Sequence, residues 1–299
     1  MSDNTTTAKV VCDSVAPDGE RLTTVEARFA RFVLAELNTT RAFSRNSASS
    51  RAIPARKQIR RVVDDPFVPV VWASEHPGMQ GGPELTGWRK AAARASWRAA
   101  SLGAAGMART MVGIGVHKSI ANRVIEPFSW HTAIITATDW ENFFDQRCSP
   151  LAQPEIRLLA EAIRDAIAAS TPTPVARSGW HLPYITDDDR RDANLLAPAY
   201  EVPALELLKA VSVGRCARVS YLTHDGRRDL EADIALYWRL VGARPPHASP
   251  LEHVATPCSH GPYTSTPRHR GNFRGWDQLR HVALAEHDPH DDQPEEEEI

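Results

Sequence analysis

An apolar stripe at helical spacing constrains the fold most. After Pro154, a residue suited to the first turn of a helix, Ile156, Leu159, Ile163 and Ile167 fall on one side of a cylinder, with Arg157, Glu161 and Arg164 elsewhere on it. The stripe predicts a helix that ends before Thr171-Pro-Thr-Pro174. Three further stretches share this character. Glu84 to Arg109 is rich in alanine, which favours helix and lets helices or subunits approach closely. Val25, Phe29, Phe32, Val33 and Leu37 repeat at near-helical spacing, and Leu230, Ile234, Tyr237 and Val241 share one face with Gly242 as its stop. Strand-like runs lie between them: Val10, Val11 and Val15 ahead of a turn at Pro17-Asp18-Gly19, then Pro66 to Trp72, then Cys216 to Leu222. Pro77 to Pro83 reads as a mobile loop, and 170–204, rich in Pro, Asp and Arg, as a long connection. With 299 residues, 42% of them hydrophobic, there is enough for a real core in one large domain or two modest ones. Periodicity alone leaves α+β and α/β both open.

Charge narrows the function classes. From Leu37 to Val63 there is no Asp or Glu, yet Arg41, Arg45, Arg51, Arg56, Lys57, Arg60 and Arg61 occur there among small hydroxyl residues. Guanidinium forks bind phosphate in pairs of hydrogen bonds, while Ser and Asn orient neutral polar edges, so the run predicts a nucleotide site in a loop. The formal charge of -2 conceals an acidic tail from Glu286 to Ile299 with eight acids, without which 35 basic residues face 29 acidic ones. A mildly basic body suits small anionic ligands. Cys12, Cys148, Cys216 and Cys258 are scattered without CxxC pairing, as expected of reduced thiols. The polar start from Met1 to Lys9, and the lack of any run near the roughly 20 apolar residues of a membrane span, predict a cytoplasmic protein.

Two more clusters carry polar chemistry. Trp140 to Cys148 and Ala152 to Arg157 place Asn142 and Arg147 beside aromatics ahead of a helix, an arrangement able to hold a planar heterocycle. Pro246 to His253 sets His247 and His253 around a proline turn. Their spacing, with Cys258 and His260 nearby, matches no zinc pattern, and hydrogen-bonded structural histidines are expected instead.

Taken together, these segments resemble the flavin-dependent thymidylate synthase family. Its signature is an Arg-His-Arg triplet leading into Asn-Glu-x-Ser-x-Arg. Here Thr39-Thr40-Arg41 takes the place of the triplet, Asn46-Ser47 replaces Asn-Glu, and Ser49-x-Arg51 is intact. The later Asn-Phe-Leu-x-x-Arg and Ala-Gln-x-Glu-Ile segment resembles Asn142 to Arg147 and Ala152 to Ile156, with Leu151 in place of a flavin-side histidine. The family's opening segment resembles Ala217-Arg218-Val219-Ser220 and His247-Ala-Ser249-Pro-Leu-Glu252-His253, which here come last. Gly271 to His281 is similar to the Gln and Arg-His stretch that normally precedes the signature. The order therefore looks circularly permuted. The departures are closest to the branch that methylates UMP and dUMP in polyoxin-type nucleoside antibiotic biosynthesis.

The resemblance implies an α+β fold with a central mixed or antiparallel sheet flanked by helices. It also implies sections at 1–169 (nucleotide and flavin), 170–204 (connection), 205–285 (the family's N-terminal part) and 286–299 (a disordered acidic tail). It implies that FAD, NADPH and methylenetetrahydrofolate serve C5-methylation of UMP or dUMP in a homotetramer with shared sites, with neither membrane nor nucleic acid as partner and no metal. By position, Arg147 polarises the uracil ring. Asn46, Ser47, Ser49, Ser50, Arg51, Arg123, Gln278 and Arg280 hold the nucleotide; Arg41, Ser44, Asn142, Ser220, His247 and Ser249 line the flavin. The rival expectations are a noncatalytic nucleotide or RNA binder using Arg41 to Arg61 with Trp140 and Phe143 as stacking surfaces, and a metal-dependent hydrolase using His247, Glu252 and His253.

Overall fold

A computed structural model describes residues 5–219, 228–258 and 271–284. In chain order the elements are β1 (Thr7–Val15), β2 (Arg21–Ala30), α1 (Leu34–Leu37), β3 (Ser44–Ser47), α2 (Ala55–Asp64), α3 (Gly87–Gly113), α4 (Lys118–Ala121), β4 (Trp130–Ala137), α5 (Glu141–Arg147) and α6 (Pro154–Ala168). They continue with β5 (Thr173–Pro174), α7 (Asp187–Tyr200), α8 (Ala204–Arg218), α9 (Leu230–Gly242), β6 (Ala255–Pro257), β7 (Trp276–Gln278) and α10 (Leu279–Leu284). Five strands form a mixed sheet in the order β3-β4-β2-β1-β5, antiparallel except where Ser14 and Val15 run parallel to Thr173 and Pro174. The fold is α+β. Among the described residues no helix is long and apolar enough to cross a membrane.

Strand alternation gives this sheet two unlike faces. Val25, Ala27 and Phe29 of β2 and Ala133, Ile135 and Ala137 of β4 pack against Ile156, Leu159, Ala160 and Ile163 of α6, the predicted stripe. Each of the larger side chains among them, from Val25 to Ile163, contributes about 1.5–3 kcal/mol through removal from water, and each alanine less. On the opposite face β2 carries Thr24, Glu26 and Arg28, β4 carries Thr132, Ile134 and Thr136, and β3 adds Ser44 and Asn46. That polar face is covered by the C-terminal part of the chain.

The cover is a second core of α7, α8 and α9, including Leu207, Val211, Val213, Ile234 and Leu251. Leu207, Leu208 and every residue from Ala210 to Ala217 are buried, so α8 is enclosed on all sides. Its one buried cation is matched: Arg215 reaches Asp189 of α7 at 2.7 Å and Asp233 of α9 at 3.0 Å. Asp233 also takes Arg218 at 2.5 Å. At Gly214 the two helices touch, since a Cβ there would lie 2.5 Å from the backbone carbonyl oxygen of Asp233. A smaller core joins Ile59 and Val62 of α2 to Ala105 and Ala108 of α3.

Several local expectations are corrected. Val25 to Ala30 is strand, because Val25 and Phe29 share one face with Ala27 between them; only Leu34–Leu37 of that stretch is α-helix. Pro66 to Trp72 forms no strand, and the nearest pairing is a single bridge from Ala73 to Glu84. Cys216 to Arg218 ends a helix, where enclosure by α7 and α9 overrides the β-branched pattern; the rest of that predicted strand lies outside the described residues, apart from Val219. The expected long connection holds helix α7, started by a capping box between Thr186 and Asp189. The basic run is no continuous loop, since β3 and α2 take up much of it.

Candidate active site

The polar face of the sheet meets the C-terminal segments around Ser44. Gln278 Nε2 donates to Ser44 Oγ at 3.0 Å and to Asn272 Oδ1 at 2.8 Å, Ser44 Oγ donates to Asn272 Oδ1 at 3.0 Å, and Asn272 Nδ2 donates to the Ala42 carbonyl at 2.7 Å. Two residues further along the same strand, Asn46 Nδ2 donates to the Cys216 carbonyl of α8 at 2.8 Å. Expected nucleotide and flavin residues from opposite ends of the sequence thus converge. Gly271 turns the chain tightly against this cluster with φ +58°, and a Cβ there would lie 2.4 Å from Gln278 Oε1.

Beneath this cluster a chain of buried side chains crosses three strands. Ser14 Oγ lies 2.8 Å from His181 Nδ1, His181 Nε2 2.7 Å from Thr24 Oγ1, Thr24 Oγ1 2.7 Å from Thr136 Oγ1, and Thr136 Oγ1 2.7 Å from His253 Nδ1. It fixes the Ser249–His253 turn to the sheet. Burial, with no carboxylate in hydrogen-bond contact, pushes both imidazoles down to about 3; for His253 the neighbouring His181 adds to the shift. His131 on β4 is likewise lowered to about 3, by burial first and then by the Arg31 charge. All three are neutral at physiological pH.

The remaining expected residues fall in three places. Arg147 Nη1 lies 3.6 Å from Glu36 Oε2 and its Nη2 donates weakly to Thr39 Oγ1 at 3.5 Å, beside the segment leading to the exposed Arg41. Arg45 turns inward and donates to the carbonyls of Leu37 and Thr40; burial lowers its pKa and the Glu252 charge opposes that. Glu252 pairs with Arg280. The Ser49–Arg51 turn is held from behind, where Asn122 Nδ2 donates to the carbonyls of Ser50 at 2.7 Å and Ile53 at 3.1 Å. Arg51 is exposed, and the exposed Arg123 pairs with Glu126 at 3.2 Å. Ser47 and Ser249 are half-buried; Asn142 and His247 are exposed. Ser220 lies outside the described residues.

Within one chain the structure joins Ser44 with Gln278 and sets Ser50 beside the helical turn that carries Arg123. It shows no contact between Arg147 and the 49–51 turn among the described residues. Asn142 and Arg147 lie ahead of α6 as expected, but on a short helix of their own, α5. Trp140 and Phe143 are core residues at 8% and 2% exposure, packed tilted and edge-on against Phe43 and closed to bases, which removes the stacking surfaces of the RNA-binding expectation. Among the described residues no three His, Cys, Asp or Glu side chains cluster to hold a metal. Sequence reasoning missed Asn272, Asn122, His181, Thr24 and Thr136. The alternation of Thr24, Glu26 and Arg28 with apolar neighbours was the available signal, since polar residues at every second position of a central strand mark a face with something to bind or bridge.

The sequence pattern of the thymidylate synthase complementing protein family (Thy1) matches residues 22–173, half of the chain, from the second residue of β2 to the first of β5. The chain belongs to the flavin-dependent thymidylate synthase family. It is thymidylate synthase-like, and its matched region contains Ser44 to Arg51, Arg123 and Arg147. No curated protein sequence matches it. Among solved structures it is similar to a UMP/dUMP methylase, PolB from Streptomyces cacaoi, bound with 5-Br UMP. The TM-score is 0.46 and the identity 18%, over 55% of this chain and 88% of that one. The same protein bound with 5-Br dUMP gives 0.45 and 16%, over 55% and 90%.

Proposed function

We propose that this protein methylates C5 of a uridine nucleotide, UMP or dUMP, with methylenetetrahydrofolate as carbon donor, NADPH as reductant and FAD bound between subunits, in the making of a nucleoside antibiotic. The family match carries this reading, because it spans the basic turn, Arg123 and Arg147 together. The donor set suits the flavin. Arg41 and Arg51 are exposed guanidiniums with no ion pair among the described residues, and Asn142 and His247 are exposed as well. Such groups match a diphosphate and a polar heterocycle. Ser44 does not fit as a direct contact within one chain, since Gln278 and Asn272 already occupy its hydroxyl.

The bound flavin supplies the hydride that completes the methyl group. The residues do the rest by electrostatics and position. Arg147, held between Glu36 and Thr39, presents a permanently charged fork to the uracil oxygen and nitrogen as negative charge builds there, which makes C5 the better nucleophile. Ser49, Ser50 and Arg51 receive the nucleotide phosphate on a turn that Asn122 keeps rigid, with Arg123 alongside. Ser47 in place of the signature glutamate removes a charge near the sugar, which leaves space for a ribose 2′-hydroxyl. No thiol attack on C6 is needed: Cys258 is 1% exposed and its Sγ donates to Asp277.

The separation of Arg147 from the 49–51 turn within one chain supports a site shared between subunits of a homotetramer. Segments 205–285 supply the part with which the family begins. Trp88, Leu102 and Met107 on α3, exposed by 78%, 56% and 65%, give that assembly apolar surface to bury. The test is anaerobic incubation of FAD-loaded protein with NADPH, methylenetetrahydrofolate and each nucleotide, reading product mass. One added methyl is expected, with Arg147→Ala slowing its appearance by about a hundredfold or more. Unmodified UMP and dUMP under every condition would refute the reading.

A further inference from the structure

Half of the basic run takes no part in the site above. Arg56 and Arg60 stand one turn apart on α2, and with Arg109 of α3 they line a groove of about 520 Å³. Its floor is Ile59, Val63 and Val112, and Asp64 is its one acid, so the groove carries a net charge of +2. All three guanidiniums are exposed and make no ion pair among the described residues. The two helices are fixed to each other under it by Ile59, Val62, Ala105 and Ala108, so the groove is held open rather than formed on contact.

We propose that this groove is a binding site for an organic di- or oligophosphate, separate from the methyl-transfer site. Guanidinium forks match phosphate oxygens better than single carboxylates, and within the groove three of them face the one acid, Asp64. The apolar floor takes the ring of a nucleotide, and the volume is that of a nucleotide-sized ligand. Solvation alone explains scattered surface arginines, but not three unpaired ones around a shared apolar bed.

Binding is read without turnover, so it stands or falls independently of methyl transfer. Titration calorimetry on the full-length protein with inorganic pyrophosphate and with ADP is expected to show saturable binding, tighter for ADP and weakening as salt rises. Arg60→Gln combined with Arg109→Gln is expected to weaken both by about tenfold or more, while Arg94→Gln, on α3 outside the groove, leaves both unchanged. The melting temperature of each variant checks the fold. Three outcomes would overturn the assignment: no binding of either probe, equal binding in the double variant, or binding only of citrate or single-stranded RNA.

Discussion

His131, His181 and His253 stand where burial blocks protonation. In an unfolded chain an imidazole titrates near 6.5, whereas each of these is held down at about 3. As pH falls through 6.5 towards 3, the unfolded chain therefore takes up protons that the folded one refuses. Their contribution to stability is complete above about pH 6.5 and is lost below it, by about 1.4 kcal/mol per pH unit for each histidine. The denaturant midpoint is expected to be level from pH 7 to 8 and to fall steeply between pH 6.5 and 5. Equal midpoints at pH 7.5 and 5 would contradict the neutral chain from Ser14 to His253. At this scale the sequence revealed less than it contained. Motif likeness singled out Ser44 and Gln278, which hydrogen-bond each other, but His181 has no motif, and it reaches Thr24 only because its backbone pairs with Ala255 against the sheet.

Helices and strands were legible where one period held without competition. The α6 stripe and the alanine-rich α3 emerged as expected, since a single buried face or a strong intrinsic preference decided each. Strand β2 was misread because residues four apart satisfy both periods, and α8 because a helix enclosed on all sides shows no amphipathic pattern. That enclosure makes α8 intolerant of volume. Gly214→Ala is expected to destabilise the protein by about 1–3 kcal/mol, because its methyl meets the fixed backbone of Asp233 rather than a movable side chain. Chemical denaturation measures this directly. A midpoint equal to that of the parent protein would show that α8 and α9 separate freely.

At the scale of the molecule, one half covers the other. A chain ending before α8 would leave Thr136, Ser44 and Asn46 without the partners that the C-terminal segments give them, and Ile134 without Cys216 and Val219. Truncation after residue 203 is therefore expected to give insoluble or loosely packed protein, read by loss of near-ultraviolet circular dichroism and by aggregation on size exclusion. A soluble, cooperatively melting fragment would show that the sheet needs no cover. Gln278 is separated from Ser44 by 234 residues. On the ribosome, Ser44 thus waits wetted until residue 278 has emerged, so the cluster around it closes long after the sheet itself is able to pair.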